Sequence, residues 1–288
     1  MPYPRYMPAL MTPFDKAGEI DLAAHRHNLK TLTDKGIGGF LIAGSTGEGP
    51  YLEPGEREVL TSEARMTGGK KASLICGIAA ETVRQAMAMI EEAVAGGSDA
   101  VLVITPTTLT RNRMGYVQGF YEKVADSSPL PVMLYSVPGV TAFELPEDVV
   151  ATLARHPNIV GIKDSGGHPV RLQRILASVP DDFTVFTGAT QAITLAVAAG
   201  AHGAITASGN YMPERLLATI KIARTQPLKA QPLQREMSGI SAAVESHGIP
   251  GVKAASVGTG LRPGYPRLPL RPMSRAGAAR LVDLARIA

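Results

Sequence analysis

The amino-acid sequence predicts a (β/α)8 barrel with a small C-terminal helical extension, and three observations lead there. Eight short β-rich runs recur along the chain, a segment with helical spacing follows each, and no linker interrupts the series before residue 225. Strands buried on both faces read as continuous apolar runs, and strands that alternate with helices are joined by crossovers, which makes them parallel. Eight such units in order imply a closed barrel, with an open doubly wound sheet as the alternative. A chain of 288 residues, 45% hydrophobic and 19% charged, has the size and composition for one large core.

The elements follow in order. The first run, YMPALMT (6–12), precedes DLAAHRHNLKTLTDKG, in which Asp21 can cap, Leu22, Leu29 and Leu32 share a face, and Gly36 can end the helix. GGFLIAG (38–44) leads into the glycine-bracketed GSTGEGP (44–50). ASLICGIA (72–79), DAVLVITP (99–106) and PVMLYSVP (131–138) are the third to fifth runs. NIVGIKD (158–164), FTVFTGA (183–189) and GAITAS (203–208) complete the eight. LPEDVVATLARHP and MPERLLATIKIART carry Pro146 and Pro213 where a first helical turn tolerates proline. Beyond residue 225, two helix-like stretches flank the Pro/Gly/Arg-rich GVKAASVGTGLRPGYPRLPLRP. The expected organisation is therefore a barrel over 1–225 and a helical extension over 226–288.

Composition narrows the function classes. The net charge of +4 is small, and no run combines lysines and arginines with interleaved aromatics, so nucleic acid is not an expected partner. The late arginines, Arg262, Arg267, Arg271, Arg275, Arg280 and Arg286, read as solvated surface. The single cysteine, Cys76, sits in an apolar run, where a buried, inert thiol is expected; a reducing, cytoplasmic setting suits it. The first ten residues have no apolar signal region, and no stretch approaches the ~18 apolar residues of a membrane span. His25 and His27, two apart on a helix, do not share a face and make no metal pair.

One run places a charge where only apolar side chains are expected. NIVGIKDSGG ends a buried strand on Lys163. Side chains alternate, so Ile159, Gly161 and Lys163 are expected on one face, and Val160 and Ile162 on the other. With the branched pair toward the helices, Lys163 points into the mouth at the C-terminal ends of the strands, where barrel active sites lie. Asp164 falls on the opposite face, which argues against a simple pair with it. A free lysine, with a pKa near 10.4, is almost entirely ammonium at pH 7 and a poor nucleophile. Desolvation disfavours the ammonium and makes attack on a ketone practical; the product, a protonated Schiff base, is an electron sink. Tyr135, on the phase of Met133 at the end of the fifth run, can shuttle a proton, although taken alone it also reads as a core aromatic. Ser45 and Thr46 stand between glycines that let backbone N–H groups converge on an anion. That loop is neither a Walker loop nor a dinucleotide fingerprint, so it does not point to nucleotides.

Together these motifs resemble the dihydrodipicolinate synthase and N-acetylneuraminate lyase superfamily of class I, Schiff-base-forming aldolases, from about Pro8 to Pro213. The resemblance implies that Lys163 forms the Schiff base with pyruvate or another 2-oxo acid and that Tyr135 shuttles protons. It also implies that Ser45 and Thr46 grip the carboxylate and that Gly188 and Ile205 line the site. It implies no cofactor and no metal, and a homotetramer built from tight dimers. Two segments depart from the synthase branch: Thr107 and Thr108 replace a tyrosine pair that supplies a tyrosine to the neighbouring subunit's proton relay, and Val140 stands where an arginine binds the aldehyde's carboxylate. LYSVP, HPNIVGIKDSGG and HGIPGVK look more like the 4-hydroxy-2-oxoglutarate aldolase branch. Retro-aldol cleavage of a 4-hydroxy-2-oxo acid is therefore the expected reaction. Condensation of pyruvate with aspartate semialdehyde is the alternative, and a 2-oxo acid binder without turnover a further one. Arg111 and Arg113, just past the fourth run, could hold a second carboxylate or be merely solvated.

Overall fold

The computed structural model describes residues 3–286. All eight runs form strands: β1 (Tyr6–Pro8), β2 (Gly39–Ile42), β3 (Ser73–Ile78), β4 (Ala100–Ile104), β5 (Val132–Ser136), β6 (Ile159–Asp164), β7 (Thr184–Thr187) and β8 (Gly203–Thr206). From β2 to β8 each strand pairs in parallel with its chain neighbours, and β1 pairs in parallel with β8. The remaining seam closes through an Ala9–Leu41 bridge, where the Leu10 N–H donates to the Leu41 carbonyl at 2.9 Å. The sheet is thus a barrel and not an open sheet. Each strand is shorter than its apolar run, and the chain beyond its C-terminal end enters the loops of the mouth.

The helices are α1 (Leu22–Asp34), α2 (Glu56–Gly68), α3 (Val83–Ala95), α4 (Met114–Ser127), α5 (Pro138–Thr141), α6 (Glu147–Leu153), α7 (Pro169–Ser178), α8 (Ile193–Ala199), α9 (Pro213–Ala223), α10 (Pro227–Glu245), α11 (Gly248–Ser256) and α12 (Arg275–Arg286). Asp21 caps α1, its carboxylate accepting the Ala24 N–H at 2.9 Å, and Leu29 and Leu32 are buried on the inward face. Pro213 takes the first position of α9, whereas Pro146 falls one residue earlier than expected, at the N-cap of α6. Among the described residues no helix is long and apolar enough to cross a membrane.

The core has two layers. Phe40, Ile42, Leu74, Val101, Val103, Leu134, Ile162 and Val185 pack outward under the helices. Met7, Leu41, Ile75, Leu102, Met133, Tyr135, Phe186 and Ile205 fill the barrel interior. The expected alternation in β6 holds only from Gly161 onward. Ile159 joins the outer layer and Val160 leans on the inner one, the reverse of the sequence expectation. The β5–β6 register explains this: Val132 pairs with Ile159 but Met133 pairs with Gly161, so Val160 is an extra residue. A bulge moves every side chain on one side of it to the other face.

Two further expectations meet different outcomes. Cys76 is buried, and burial pushes its thiol up to about 11, as an inert thiol requires. The late arginines are not all solvated surface: Arg267 pairs with Glu56 at 2.6 Å, and its guanidinium lies 4.1 Å from the centre of the Phe14 ring. Arg262, Arg271, Arg275, Arg280 and Arg286 are exposed.

Candidate active site at the barrel mouth

Neighbouring strands bring Lys163 and Tyr135 together. They are register partners in the β5–β6 ladder, both buried, and the Lys163 Nζ donates to the Tyr135 Oη at 3.3 Å. Asp164, one residue on, faces outward and accepts from the Nε of buried Arg171 in α7 at 2.8 Å. The carboxylate nearest in sequence is thereby engaged elsewhere, and Lys163 turns to the phenol. Burial raises the Tyr135 pKa, but the Lys163 charge and hydrogen bonds with Ser45, Lys163 and Ser165 outweigh it, leaving the phenol below its ordinary value. A phenol of lowered pKa next to a lysine is suited to passing protons.

The loop after β2 delivers Ser45 to that phenol, with Thr46 next in the same turn; both are half-buried. Its backbone is tight: Ala43 and Glu48 have φ of 55° and 57°, a region costing L-residues roughly 1–3 kcal/mol each. A Cβ on Gly49 would lie 2.0 Å from the Ala43 carbonyl oxygen, so the turn closes only over a glycine. Gly188 has a related role beside the lysine, since a Cβ there would meet the Ser165 Oγ at 1.9 Å and the Lys163 Cε at 2.8 Å. Ile205 lies in β8, buried in the inner layer opposite Met7. A small cavity lined by Ser45, Gly77, Leu102, Ile104 and Tyr135 opens beside the phenol.

The departures from the synthase pattern are also placed. The backbone N–H groups of Thr107 and Thr108 donate to the Glu81 carboxylate at 3.1 and 2.9 Å. Val140 is 61% exposed, and Arg111 and Arg113 are exposed. Several polar residues around the site escaped the sequence reading. Ser165, two residues beyond Lys163, was reachable by extending the strand's alternation past Asp164. Glu245, at the end of α10, accepts from the Tyr211 Oη at 2.7 Å and the Thr190 Oγ1 at 3.3 Å, and Thr190 is hydrogen-bonded to Ser208 at 2.8 Å. Burial raises the Glu245 pKa, partly offset by those bonds and by the Lys163 charge. No local pattern in the sequence marks it. Among the described residues no group of three or more His, Cys, Asp or Glu side chains is arranged to hold a metal ion.

Comparison with known proteins gives the family. The model of the dihydrodipicolinate synthetase family matches residues 3–288. A 4-hydroxy-tetrahydrodipicolinate synthase of Methanosarcina mazei is 32% identical over 281 residues, covering 96% of this chain and 95% of the relative. That of Exiguobacterium sibiricum is 34% identical over 282 residues, with 96% and 95% covered. Among solved structures, dihydrodipicolinate synthase DapA-2 of Bacillus anthracis superposes with a TM-score of 0.91 at 28% identity, covering 98% of this chain and 97% of that one. YagE of E. coli K12, a member of the family in complex with pyruvate, gives 0.91 at 26% identity with the same coverage. A barrel with this strand order, matched along nearly its whole length by that family's model, belongs to the dihydrodipicolinate synthetase family of Schiff-base carbon–carbon lyases and synthases.

Proposed function

We propose that this enzyme forms a Schiff base between Lys163 and pyruvate or a closely related 2-oxo acid; the observation that carries the reading is the buried Lys163–Tyr135 pair at 3.3 Å. The neutral amine adds to the ketone carbon and the carbonyl oxygen takes a proton, giving a carbinolamine. Loss of water, with Tyr135 supplying the proton, leaves the iminium. Removal of a proton from C3 gives an enamine that attacks an aldehyde; in reverse, cleavage of the C3–C4 bond releases the aldehyde. Hydrolysis then returns the free lysine. Ser45 and Thr46 hold the carboxylate, and Gly188 and Ile205 shape the pocket around the methyl end. A binder without turnover would have no use for the amine and phenol.

For the aldehyde partner, the relatives named 4-hydroxy-tetrahydrodipicolinate synthase favour condensation of pyruvate with aspartate semialdehyde, ahead of the cleavage reading drawn from motif wording. Retro-aldol cleavage of a 4-hydroxy-2-oxo acid keeps one observation in its favour: Val140, and not an arginine, stands at the acceptor end. We also propose a homotetramer, with a barrel unit over 1–225 and an extension over 226–288.

Reduction with borohydride in the presence of pyruvate should add one pyruvate-derived mass to the peptide carrying Lys163. An unchanged intact mass, or an adduct on the other buried lysine, Lys253, would refute the assignment. Side-by-side kcat/KM values for condensation and cleavage then separate the two readings: a larger value for condensation is expected, and a larger one for cleavage gives the site to the second.

A further inference from the structure

Lys253, on α11, is buried but lies outside the site described above. Its Nζ is 2.6 Å from the Glu48 Oε1, donates to the Thr12 carbonyl at 2.8 Å and to the Tyr265 carbonyl at 2.6 Å, and sits 5.0 Å from the centre of the Phe14 ring. The other Glu48 oxygen accepts the Arg267 N–H at 2.8 Å. The Thr12 hydroxyl in turn donates to the Gly47 carbonyl at 2.6 Å. One ammonium therefore ties three segments together: the loop after β1, the loop that carries Ser45 and Thr46, and the C-terminal segment around 265–267. Glu48 has its backbone in the left-handed region, which a non-glycine residue keeps only when its surroundings over-determine it.

We infer that Lys253 is a positioning residue for substrate binding: through Glu48 it holds the Ser45–Thr46 turn in the strained shape that presents the hydroxyls to a 2-oxo acid carboxylate. The inference rests on the Schiff-base reading above. It assigns the C-terminal extension a part in binding. The chain of influence runs from Lys253 to Glu48, along the turn to Ser45, and from Ser45 to the Tyr135 phenol. Burial lowers the pKa of Lys253, and Glu48 opposes that effect, in keeping with a lysine that serves as one half of an ion pair.

A merely structural pair would affect stability alone, so the test separates folding from binding. Removing one partner strands a buried charge, whereas removing both charges relieves that penalty. The double variant Glu48→Gln/Lys253→Met is therefore compared with wild type for melting temperature, for the pyruvate concentration giving half-maximal borohydride trapping, and for the trapping rate at saturation. Half-saturation should rise roughly ten- to a hundredfold, the scale of losing a hydrogen bond to the charged carboxylate, while the saturated rate changes far less. Glu48→Asp, which keeps the ion pair on a shorter stem, should raise half-saturation in the same direction and serves if the double variant does not fold. A folded variant of either kind with wild-type half-saturation overturns the inference. Wild type that forms no adduct on Lys163 removes the Schiff-base reading itself, and is told apart because no variant is needed to see it.

Discussion

At the scale of single residues, the proposed chemistry rests on a lysine and a phenol that share a ladder position, and each neighbour's contribution can be tested separately. Tyr135→Phe keeps the ring in the inner layer and removes only the hydroxyl. Turnover should fall by about a hundredfold or more, the usual loss when general acid–base help disappears, with the melting temperature little changed. Near-normal turnover would return Tyr135 to the role of a core aromatic. Gly188→Ala places a methyl against the Lys163 stem and the Ser165 hydroxyl, so pyruvate trapping should fall at least roughly tenfold, since about 1 Å of misplacement can cost a hundredfold. Trapping at the wild-type rate would mean that the backbone there relaxes. Val140→Arg restores a cation at the acceptor end; a charge-assisted bond of about 1.5–3 kcal/mol corresponds to roughly a ten- to hundredfold lower KM for aspartate semialdehyde. An unchanged KM would show that the semialdehyde carboxylate does not reach that position.

At the scale of elements, the first helix carries a pH-dependent part of the stability. His25 on α1 is fully buried, with its Nε2 3.2 Å from the Leu60 carbonyl, and burial lowers its pKa to about 4. The unfolded chain, with an ordinary histidine near 6.5, binds more protons than the folded one between those values. Its contribution is thus fully present above about pH 6.5 and is lost as pH falls toward 4, a change of about 3 kcal/mol for 2.5 pH units. Urea unfolding at pH 7 and pH 4.5 measures this. His25→Gln should show a smaller difference between the two pH values than wild type, because it lacks the titrating ring; equal differences would remove His25 from the account. The β6 bulge belongs to this scale as well: by absorbing Val160 it lets Ile159 stay under the helices while Lys163 still points inward.

At the scale of the whole molecule, the barrel gathers side chains from distant segments at one end, and the helical extension reaches back to that end through Lys253, Arg267 and Glu245. Leu109 (85% exposed), before α4, and Tyr116 (63%), on α4, leave large apolar side chains uncovered, which suits burial against another copy. Sedimentation velocity should report the tetramer proposed above, and a single monomeric species would overturn that proposal. Because Glu81 of the same chain holds the Thr107–Thr108 loop, specific activity should not change with protein concentration if the assembly dissociates. A loss on dilution would place part of the proton path in the neighbouring subunit.

What the sequence by itself determined is what local chemistry encodes. Eight apolar runs, the Asp21 cap, the buried Cys76 and the inward phase of Tyr135 and Lys163 follow from periodicity and from residues a few positions apart. The tertiary structure alone decided the rest. The extra residue in β6 is visible only in the register with β5, so Ile159 and Val160 could not be oriented from alternation. Arg267 looked like one more solvated arginine because Phe14 and Glu56, which enclose it, are more than two hundred residues away in the chain. Glu48 meets Lys253, and Glu245 meets Thr190 and Tyr211, because the fold brings their separate elements together. A buried polar group needs a partner, but its own residue type does not say which distant segment will supply it.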